Sequence, residues 1–304
     1  MALPGQPMSS SVPRVRDKLL SVASVLALLL LLWYGGAVGM NRAGAIERVL
    51  ANAYPNGGWT TAELVQATLN MARPVLPAPH QVAADLYSSL VDWPLDSPRN
   101  LAYHLMVTAE STLVGFVLGT LLGMVLAAAI VHSRTLDRAL LPWIVASQTV
   151  PVLAIAPIVL VILGSLGFSG LAPKATIAMY LCFFPVTVAM VQGLRAPQRI
   201  ETELMHTYAA SRLQAFWLLR MPSALPYLFP SLRVAIAAGV VGAMVAELPT
   251  GAQAGLGARL LTGSYYGNTV GIWSALVMSA LLGLGLTMAV AGVERLVLGR
   301  RRAT

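Results

Sequence analysis

Residues 19–40 read LLSVASVLALLLLLWYGGAVGM, an uncharged stretch of 22 residues. A helix needs about 20 apolar residues to cross the hydrocarbon core of a bilayer. Apolar runs of similar length follow along the chain, at about 104–131, 140–163, 174–194, 230–248 and 271–293. Because a helix satisfies its own backbone hydrogen bonds inside hydrocarbon, the sequence predicts an all-α polytopic membrane protein with six transmembrane helices.

The composition and the placement of basic residues support this class. Of the 304 residues, 57% are hydrophobic and 11% are charged, and the mean hydropathy is +0.73. With a cytoplasmic amino terminus, 13 of the 20 Lys and Arg residues fall in cytoplasmic segments and six in outer segments, four of them within 41–100. Positive charge opposes translocation, so both termini and the loop 195–229 are predicted to be cytoplasmic. The net charge of +8 therefore indicates orientation in the lipid bilayer, not nucleic-acid binding.

The apolar runs divide the chain into a cytoplasmic tail at 1–18, a first transmembrane helix at 19–40, a periplasmic arm at 41–100, a core of five helices at 101–294 and a basic cytoplasmic tail at 295–304. The basic residues before the first run also fit a cleaved signal peptide. Its uncharged stretch of 22 residues is longer than the apolar core of a typical signal peptide, which favours a retained helix.

The periplasmic arm contains two amphipathic stretches, at 60–71 and 80–90, with prolines between them. Thr60 or Thr61 can cap the first stretch, and its shared face comprises Leu64, Ala67, Thr68 and Met71. The prolines must end this helix. We expect a surface arm that lies against the bundle, because the segment is too short and too polar to form a separate domain.

Several kinds of site are disfavoured by what the sequence lacks. Neither of its two lysines, Lys18 and Lys174, ends a glycine-rich phosphate loop, so ATP hydrolysis of that kind requires another chain. Cys182 is the single cysteine, which excludes an internal disulfide. The four histidines occur singly, without the spacing typical of metal ligands. We therefore expect no catalytic residue, metal or cofactor on this chain.

The cytoplasmic loop contains the stretch ETELMHTYAASRLQAFWLLRMPSALP at 201–226. Glu201 and Glu203 fit the first turn of a helix, where carboxylates favour the positive end of the dipole. Ser211 fits the cap of a second helix, which Pro222 is expected to end. The pattern predicts a short helix beneath the membrane and an amphipathic helix along the inner surface. Two interpretations follow: a docking element for another protein, or an anchor in the lipid interface.

The spacing in this loop resembles the signature of permease subunits of bacterial binding-protein-dependent ABC importers. That signature reads Glu-Ala-Ala, three residues, Gly, nine residues, Ile, one residue, Leu-Pro. Glu203 and Pro222 are identical to it, Leu219 takes the Ile position and Ala209 takes the Gly position. Glycine tolerates a positive φ that alanine resists, so the replacement at Ala209 leaves open whether the turn is built in the same way.

The flanks resemble one branch of that family, the permeases for nitrate, sulfonates, taurine and pyrimidine precursors. The similar motifs occur in the branch's order between residues 76 and 290. They are Leu76-Pro77-Ala78-Pro79, Gln148-Thr149-Val150-Pro151 through Ala156-Pro157, Ser223 to Tyr227 with Leu232-Arg233, Ala246-Glu247, and Gly255-Leu256-Gly257.

The resemblance implies a type I importer permease in the bacterial cytoplasmic (inner) membrane. A second permease copy, most simply in a homodimer, would enclose the pathway. A cytoplasmic ABC ATPase dimer would hold ATP and Mg, and a periplasmic substrate-binding protein would deliver a small solute. The short helix at about 201–211 would be the coupling helix, and the residues expected at its ATPase contact are Glu201, Glu203, Thr207, Tyr208, Ala209, Ser211 and Arg212.

Polar groups inside apolar spans are candidates for the translocation pathway, because burying them in lipid is costly. These candidates are Glu110, Gln148, Thr149, Pro151 and Glu247. For Glu110 and Glu247 the alternative is a place near the outer interface, hydrogen-bonded for packing. Arg233 is expected to extend to the inner surface, and glycines 115, 119 and 123 are expected to let helices pack closely.

The rival function is a secondary carrier driven by an ion gradient. Such carriers commonly contain inverted repeats and interrupted helices, and no internal repeat is evident in this sequence. The cargo is left open among sulfonates, nitrate, taurine, pyrimidine precursors and similar small solutes.

Overall fold

The structure is a computed structural model that describes residues 15–55, 57–249 and 253–301. Five of its helices are long and apolar enough to cross a membrane, and a sixth span is added if one bent helix pair counts as a single crossing. The fold class predicted from the sequence is confirmed. The helices are α1 Val15–Ala45, α2 Thr61–Leu69, α3 Pro79–Val91, α4 Leu101–His132, α5 Arg134–Ser147, α6 Val152–Ser165, α7 Leu171–Leu194, α8 Arg199–Thr207, α9 Arg212–Ala246, α10 Leu256–Tyr266 and α11 Thr269–Arg301.

The chain forms two compact units that divide within α3, after Ala84. In the first unit the apolar helix does not end at Met40 as predicted. It continues through Ala45 into a π-helical turn, Ile46–Leu50, and on to Ala53. This extension packs against α2, where Ala45, Leu50 and Leu64 are buried together.

The loop between α2 and α3 is fixed by one buried amide, that of Asn41. Its Oδ1 accepts hydrogen bonds from the backbone N–H groups of Val75 (2.7 Å) and Leu76 (3.2 Å), and its Nδ2 donates to the carbonyl of Leu76 (2.8 Å). Thr60 caps α2 in a capping box with Glu63, as one of the two predicted caps. Both helices predicted in the arm are therefore present, whereas the position of the arm against the bundle stays a prediction.

In the second unit α7 lies between α4 and α9, and small residues line both interfaces. A Cβ added at Gly115 would lie 2.4 Å from Cβ of Ala178, and one at Gly119 would lie 2.6 Å from Cβ of Cys182. From α9, a Cβ at Gly239 would lie 2.9 Å from Sγ of the same Cys182. The prediction that the glycines of α4 permit close helix packing is confirmed.

The third predicted span, 140–163, is not one straight helix. It forms α5 and α6, which meet at 103° across the short break from Gln148 to Pro151. Pro151 lacks the N–H group that a continuing helix requires, and it disfavours helical backbone at Val150 before it.

The prediction that Pro222 ends the second cytoplasmic helix is wrong. The helix that begins at Arg212 continues as α9 to Ala246 and is the fourth of the five long apolar helices. A π-helical turn, Phe216–Arg220, ends two residues before the proline. Its wider hydrogen-bonding pattern accommodates a residue that lacks an N–H group, so no separate helix lies along the inner surface.

Candidate functional site

The short helix α8 is built to project from the bundle. The backbone N–H of Gln198 donates to Oε2 of Glu201 at 2.7 Å, which fixes the first turn. Arg199 Nε lies 2.8 Å from Oε1 of Glu203, one helical turn away. None of the side chains of α8 is buried, so its stability comes from its own turns and caps and not from packing on the core.

The turn after α8 has the backbone conformation that a glycine normally supplies. Ala209 has φ 51°, the single positive value among the non-glycine residues that the structure describes. The N–H of Ala210 donates to the carbonyl of Met205 at 3.0 Å, which closes the turn. The sequence left open whether this turn is built as in the signature. The turn has the left-handed conformation, and Ala209 adopts the positive φ that a glycine would adopt without strain.

Ser211 then begins α9. Its Oγ accepts a hydrogen bond from the N–H of Gln214 at 3.3 Å, and its own N–H donates to Oε1 of Gln214 at 2.8 Å. These two hydrogen bonds form a capping box that fixes the chain between the turn and α9. The cap predicted at Ser211 is therefore present. Arg212, the first residue of α9, is exposed.

One face of α8 is apolar and uncovered. Ile200, Leu204 and Tyr208 follow one another at four-residue spacing, and their exposed fractions are 70%, 55% and 77%. Glu201, Glu203 and Thr207 are exposed beside them. The seven predicted coupling residues thus lie on one continuous segment of chain. We name the exposed surface of residues 199–212 the coupling surface.

Ile200 and Leu204 are exposed on this face but are not among the residues predicted for the ATPase contact. The signal for them is present, because two aliphatic residues and a tyrosine at positions i, i+4 and i+8 share a face of any helix. In a segment placed outside the bundle, such a face indicates a partner.

Glu247 lies in a second cluster, at the other end of α9, and its side chain is completely buried. Its carboxylate accepts hydrogen bonds from Oγ1 of Thr108 at 3.0 Å and from the N–H of Gly257 at 2.9 Å. Lys174 Nζ lies 3.7 Å from Oε1 of Glu247 and donates to the carbonyl of Ala254 at 2.7 Å. The ammonium group and the hydrogen-bond donors offset part of the cost of burying this carboxylate.

The Gly-Leu-Gly motif is explained by this cluster. Gly255 has φ +126°, and a Cβ there would lie 2.1 Å from Cδ of Glu247. A Cβ at Gly257 would lie 2.3 Å from the carbonyl oxygen of Met244. Both positions therefore require glycine for the backbone to approach α9.

His104 completes the cluster. Its Nδ1 accepts a hydrogen bond from the N–H of Gly255 at 3.0 Å, and its Nε2 lies 2.8 Å from the carbonyl oxygen of Pro98. Nε2 must carry the proton, because only a donor can bond to a carbonyl, so both ring nitrogens are used. The geometry supports the packing alternative for Glu247, whose carboxylate holds the loop after α9.

The other predicted pathway residues are not brought together with Glu247. Gln148, Thr149 and Pro151 lie exposed at the bend between α5 and α6. Glu110 is exposed on α4, on a different side from the glycines that face α7, and it makes no hydrogen bond or ion pair with any described residue. The assignment of these residues to the pathway stays a prediction.

Two further expectations are refined by the structure. Arg233 does not simply extend to the inner surface but forms an ion pair with Glu294 of α11. Among the described residues, no three His, Cys, Asp or Glu side chains form a group that could hold a metal ion.

Comparison with known proteins identifies the family. Residues 119–302 match the family described as binding-protein-dependent transport system inner membrane component. The chain is 32% identical over 231 residues to the formylaminopyrimidine transport permease protein ThiX of Halalkalibacterium halodurans, covering 75% of this chain and 86% of that one. It is 31% identical over 223 residues to the riboflavin transport system permease protein RibX of Chloroflexus aurantiacus (73% and 79%), and 25% identical over 243 residues to the taurine transport system permease protein TauC of Escherichia coli (78% and 82%).

The matched segment begins within α4 and continues through α11, so it contains both the coupling surface and Glu247. Members of this family are permeases and not enzymes themselves, and the ATPase is a separate subunit. The resemblance noted in the sequence is confirmed. The chain belongs to the family of binding-protein-dependent transport system inner membrane components, the permease subunits of ABC importers.

Proposed function

We propose that this chain and a second copy of it enclose the pathway of an ATP-driven importer in the bacterial inner membrane. Both termini and the coupling surface lie on the cytoplasmic side, where a dimer of ABC ATPases carries the ATP and Mg. A periplasmic binding protein delivers the solute to the outer mouth. The distribution of Lys and Arg supports this orientation, because short basic segments stay in the cytoplasm.

One observation carries the proposal: α8 exposes Ile200, Leu204 and Tyr208 although it is capped at its start, closed by a fixed turn and held between two long helices. An amphipathic helix that fits a groove of a partner uses anchors at this spacing. The groove here belongs to the ATPase. Glu203 and Arg212 flank the apolar anchors, and their charges set how α8 is aligned along the groove.

The names of the relatives favour a nitrogen heterocycle as the solute. The relatives named for formylaminopyrimidine and riboflavin are 32% and 31% identical to this chain, whereas those named for taurine and aliphatic sulfonates are each 25% identical. We propose a small heteroaromatic compound, selected mainly by the binding protein. Mass spectrometry of the compound that co-purifies with that binding protein identifies it, and a sulfonate there contradicts the heterocycle.

The coupling assignment is tested by replacing Glu203 and Tyr208 together with alanine. The double variant should insert into the membrane and dimerise as the wild type does, because neither side chain is buried. It should retain less of the ATPase during co-purification and show lower uptake. Tyr265, an equally exposed tyrosine on α10, provides the matched control Tyr265→Ala, which should keep the ATPase bound.

Unchanged ATPase binding in the Glu203 and Tyr208 double variant contradicts the assigned contact. Transport by the reconstituted chain without ATP or an ATPase contradicts the importer and favours a secondary carrier.

A further inference from the structure

The coupling helix α8 is attached directly to the end of α7. Leu194, the last residue of α7, is buried, and Arg195 forms its C-cap. The N–H of Ala196 donates to the carbonyl of Gly193 at 3.2 Å, and Pro197 restricts the backbone before α8 begins at Arg199. A connector this short and this constrained makes α8 and the end of α7 move together.

Arg195 also bonds to a different helix. Its Nη2 lies 2.9 Å from Oδ2 of Asp137, in the first turn of α5. The side chains are 44% and 30% exposed, so water screens the pair only in part. The other carboxylate oxygen of Asp137 is buried without a partner among the described residues. Arg195 is therefore the charged side chain that compensates Asp137 in this structure.

The far end of α5 is also joined to α7. The hydroxyl of Tyr180 on α7 donates to the carbonyl of Ser147, the last residue of α5. Between the two ends, Ile144 is buried in the same core cluster as Val186 and Met190 of α7. Side-chain contacts hold α5 against α7. The helices whose backbones pack closely on α7 are α4 and α9. Removing a polar contact at one end of α5 should therefore free that end.

We infer that Asp137 and Arg195 are positioning residues that carry the displacement of the coupling helix to the bend between α5 and α6. α5 has 14 residues and spans about 21 Å, so it extends from the coupling segment to Gln148 and Thr149. A movement of α8 displaces Arg195, Arg195 displaces the start of α5, and α5 displaces the bend. This inference rests on the proposed importer function and assigns a role to two residues outside the ATPase contact.

The experiment uses the full chain in lipid nanodiscs with its partner ABC ATPase, and ATP with vanadate as the probe. A spin label at Val150→Cys reports on the bend, because Val150 is exposed there and the native Cys182 is fully buried. In the wild type, ATP and vanadate should convert part of the label's spectrum to a second component. Asp137→Asn, which keeps the shape and removes the charge, should lower the ratio of the second component to the first by roughly fivefold or more.

Arg195→Gln tests the pair from its other side and should give the same loss. Exchanging the two charges, Asp137→Arg with Arg195→Asp, should raise the ratio above that of either single reversal. Glu294→Gln is the matched control. It breaks the Arg233–Glu294 ion pair, which joins α9 to α11 and touches neither α5 nor the bend, so the ratio should not change.

The outcomes separate this inference from the function on which it rests. A wild-type chain that binds no ATPase overturns the proposed function and the inference with it. A wild-type complex that hydrolyses ATP without any change at the bend overturns the inference alone. So does an undiminished change in Asp137→Asn and Arg195→Gln, or an exchange of charges that restores nothing.

Discussion

Ala209 has a left-handed backbone and lies in the segment proposed to contact the ATPase. A left-handed backbone costs an alanine about 1–2 kcal/mol, and glycine avoids this cost. Replacing an alanine by glycine lowers the stability by about 0.4–1 kcal/mol, because glycine gives the unfolded chain more conformational freedom. The strain is the larger quantity, so Ala209→Gly should stabilise the protein by roughly 0.5–1 kcal/mol. Thermal unfolding of the purified chain in detergent measures the difference.

The neighbouring residue provides the control for this prediction. Ala210 has an ordinary negative φ, so Ala210→Gly gains nothing from relieved strain and should lower the unfolding temperature. If both variants shift the unfolding temperature in the same direction, the strain at Ala209 is not what decides its stability.

Glu247 shows what a single sequence reveals about a residue and what it conceals. A carboxylate at the end of an apolar run is conspicuous, and so are the glycines that follow it. The partners that decide its role are Thr108, 139 positions away, and Lys174 on a third helix. Hydropathy and spacing contain no information about which helices become neighbours, so the sequence did not favour the packing alternative for Glu247 over the pathway alternative.

At the scale of elements, the start of α2 depends on pH. The hydroxyl of Tyr54 donates to Glu63 and lowers the pKa of that carboxyl, and the backbone N–H and hydroxyl of Thr60 lower it further. A carboxyl whose pKa is lowered on folding contributes stability above the unfolded pKa, and this contribution is lost as the pH falls through the folded value. The first turn of α2 should therefore lose this stabilisation as the pH falls below 4.5, the ordinary pKa of a glutamate, through the lowered pKa of Glu63.

Hydrogen exchange of the segment 60–69, followed by mass spectrometry from pH 6 to pH 3, measures this opening. Tyr54→Phe removes the largest cause of the lowered pKa, so exchange should increase at a higher pH than in the wild type. Tyr87→Phe, which removes an exposed hydroxyl from α3, should leave the exchange of α2 as it is. An identical pH profile in Tyr54→Phe contradicts the role of its hydroxyl.

Prolines show why the starts of helices were predicted better than their ends. The caps at Thr60 and Ser211 act through groups two or three residues away, so the sequence is sufficient to identify them. Whether a proline ends a helix depends on a wider context. At Pro151 the chain bends by 103°, whereas at Pro222 a preceding π-helical turn lets α9 continue. The same residue type gives two outcomes, and α5, α6 and α7 also continue through Pro142, Pro157 and Pro185, so a proline alone does not decide where a helix ends.

At the scale of the whole molecule, composition and charge were sufficient for the class, and the six predicted spans correspond to five long helices and one bent helix pair. They do not identify α7 as the centre of the second unit, because no single span is distinguished by its hydropathy. The glycines of α4 at four-residue spacing were the one pattern that indicated a close contact. Their partner helix, and the glycines of α9 that approach the same residues Ala178 and Cys182 of α7, required the structure.

Gly119 tests how the bundle is held together. A methyl group there would lie 2.6 Å from Cβ of Cys182 and 2.8 Å from the carbonyl oxygen of Met179, so α4 and α7 must separate to admit it. Gly119→Ala should destabilise the chain by about 1–3 kcal/mol, as overpacking does in a close-packed interior. Gly283 on α11 has no atom within 4 Å of an added Cβ, so Gly283→Ala should stabilise by about 0.5–1 kcal/mol through helix propensity alone. Thermal unfolding in the same lipid nanodiscs compares the two, and opposite signs are expected because close packing on α7, not helix propensity, limits this bundle.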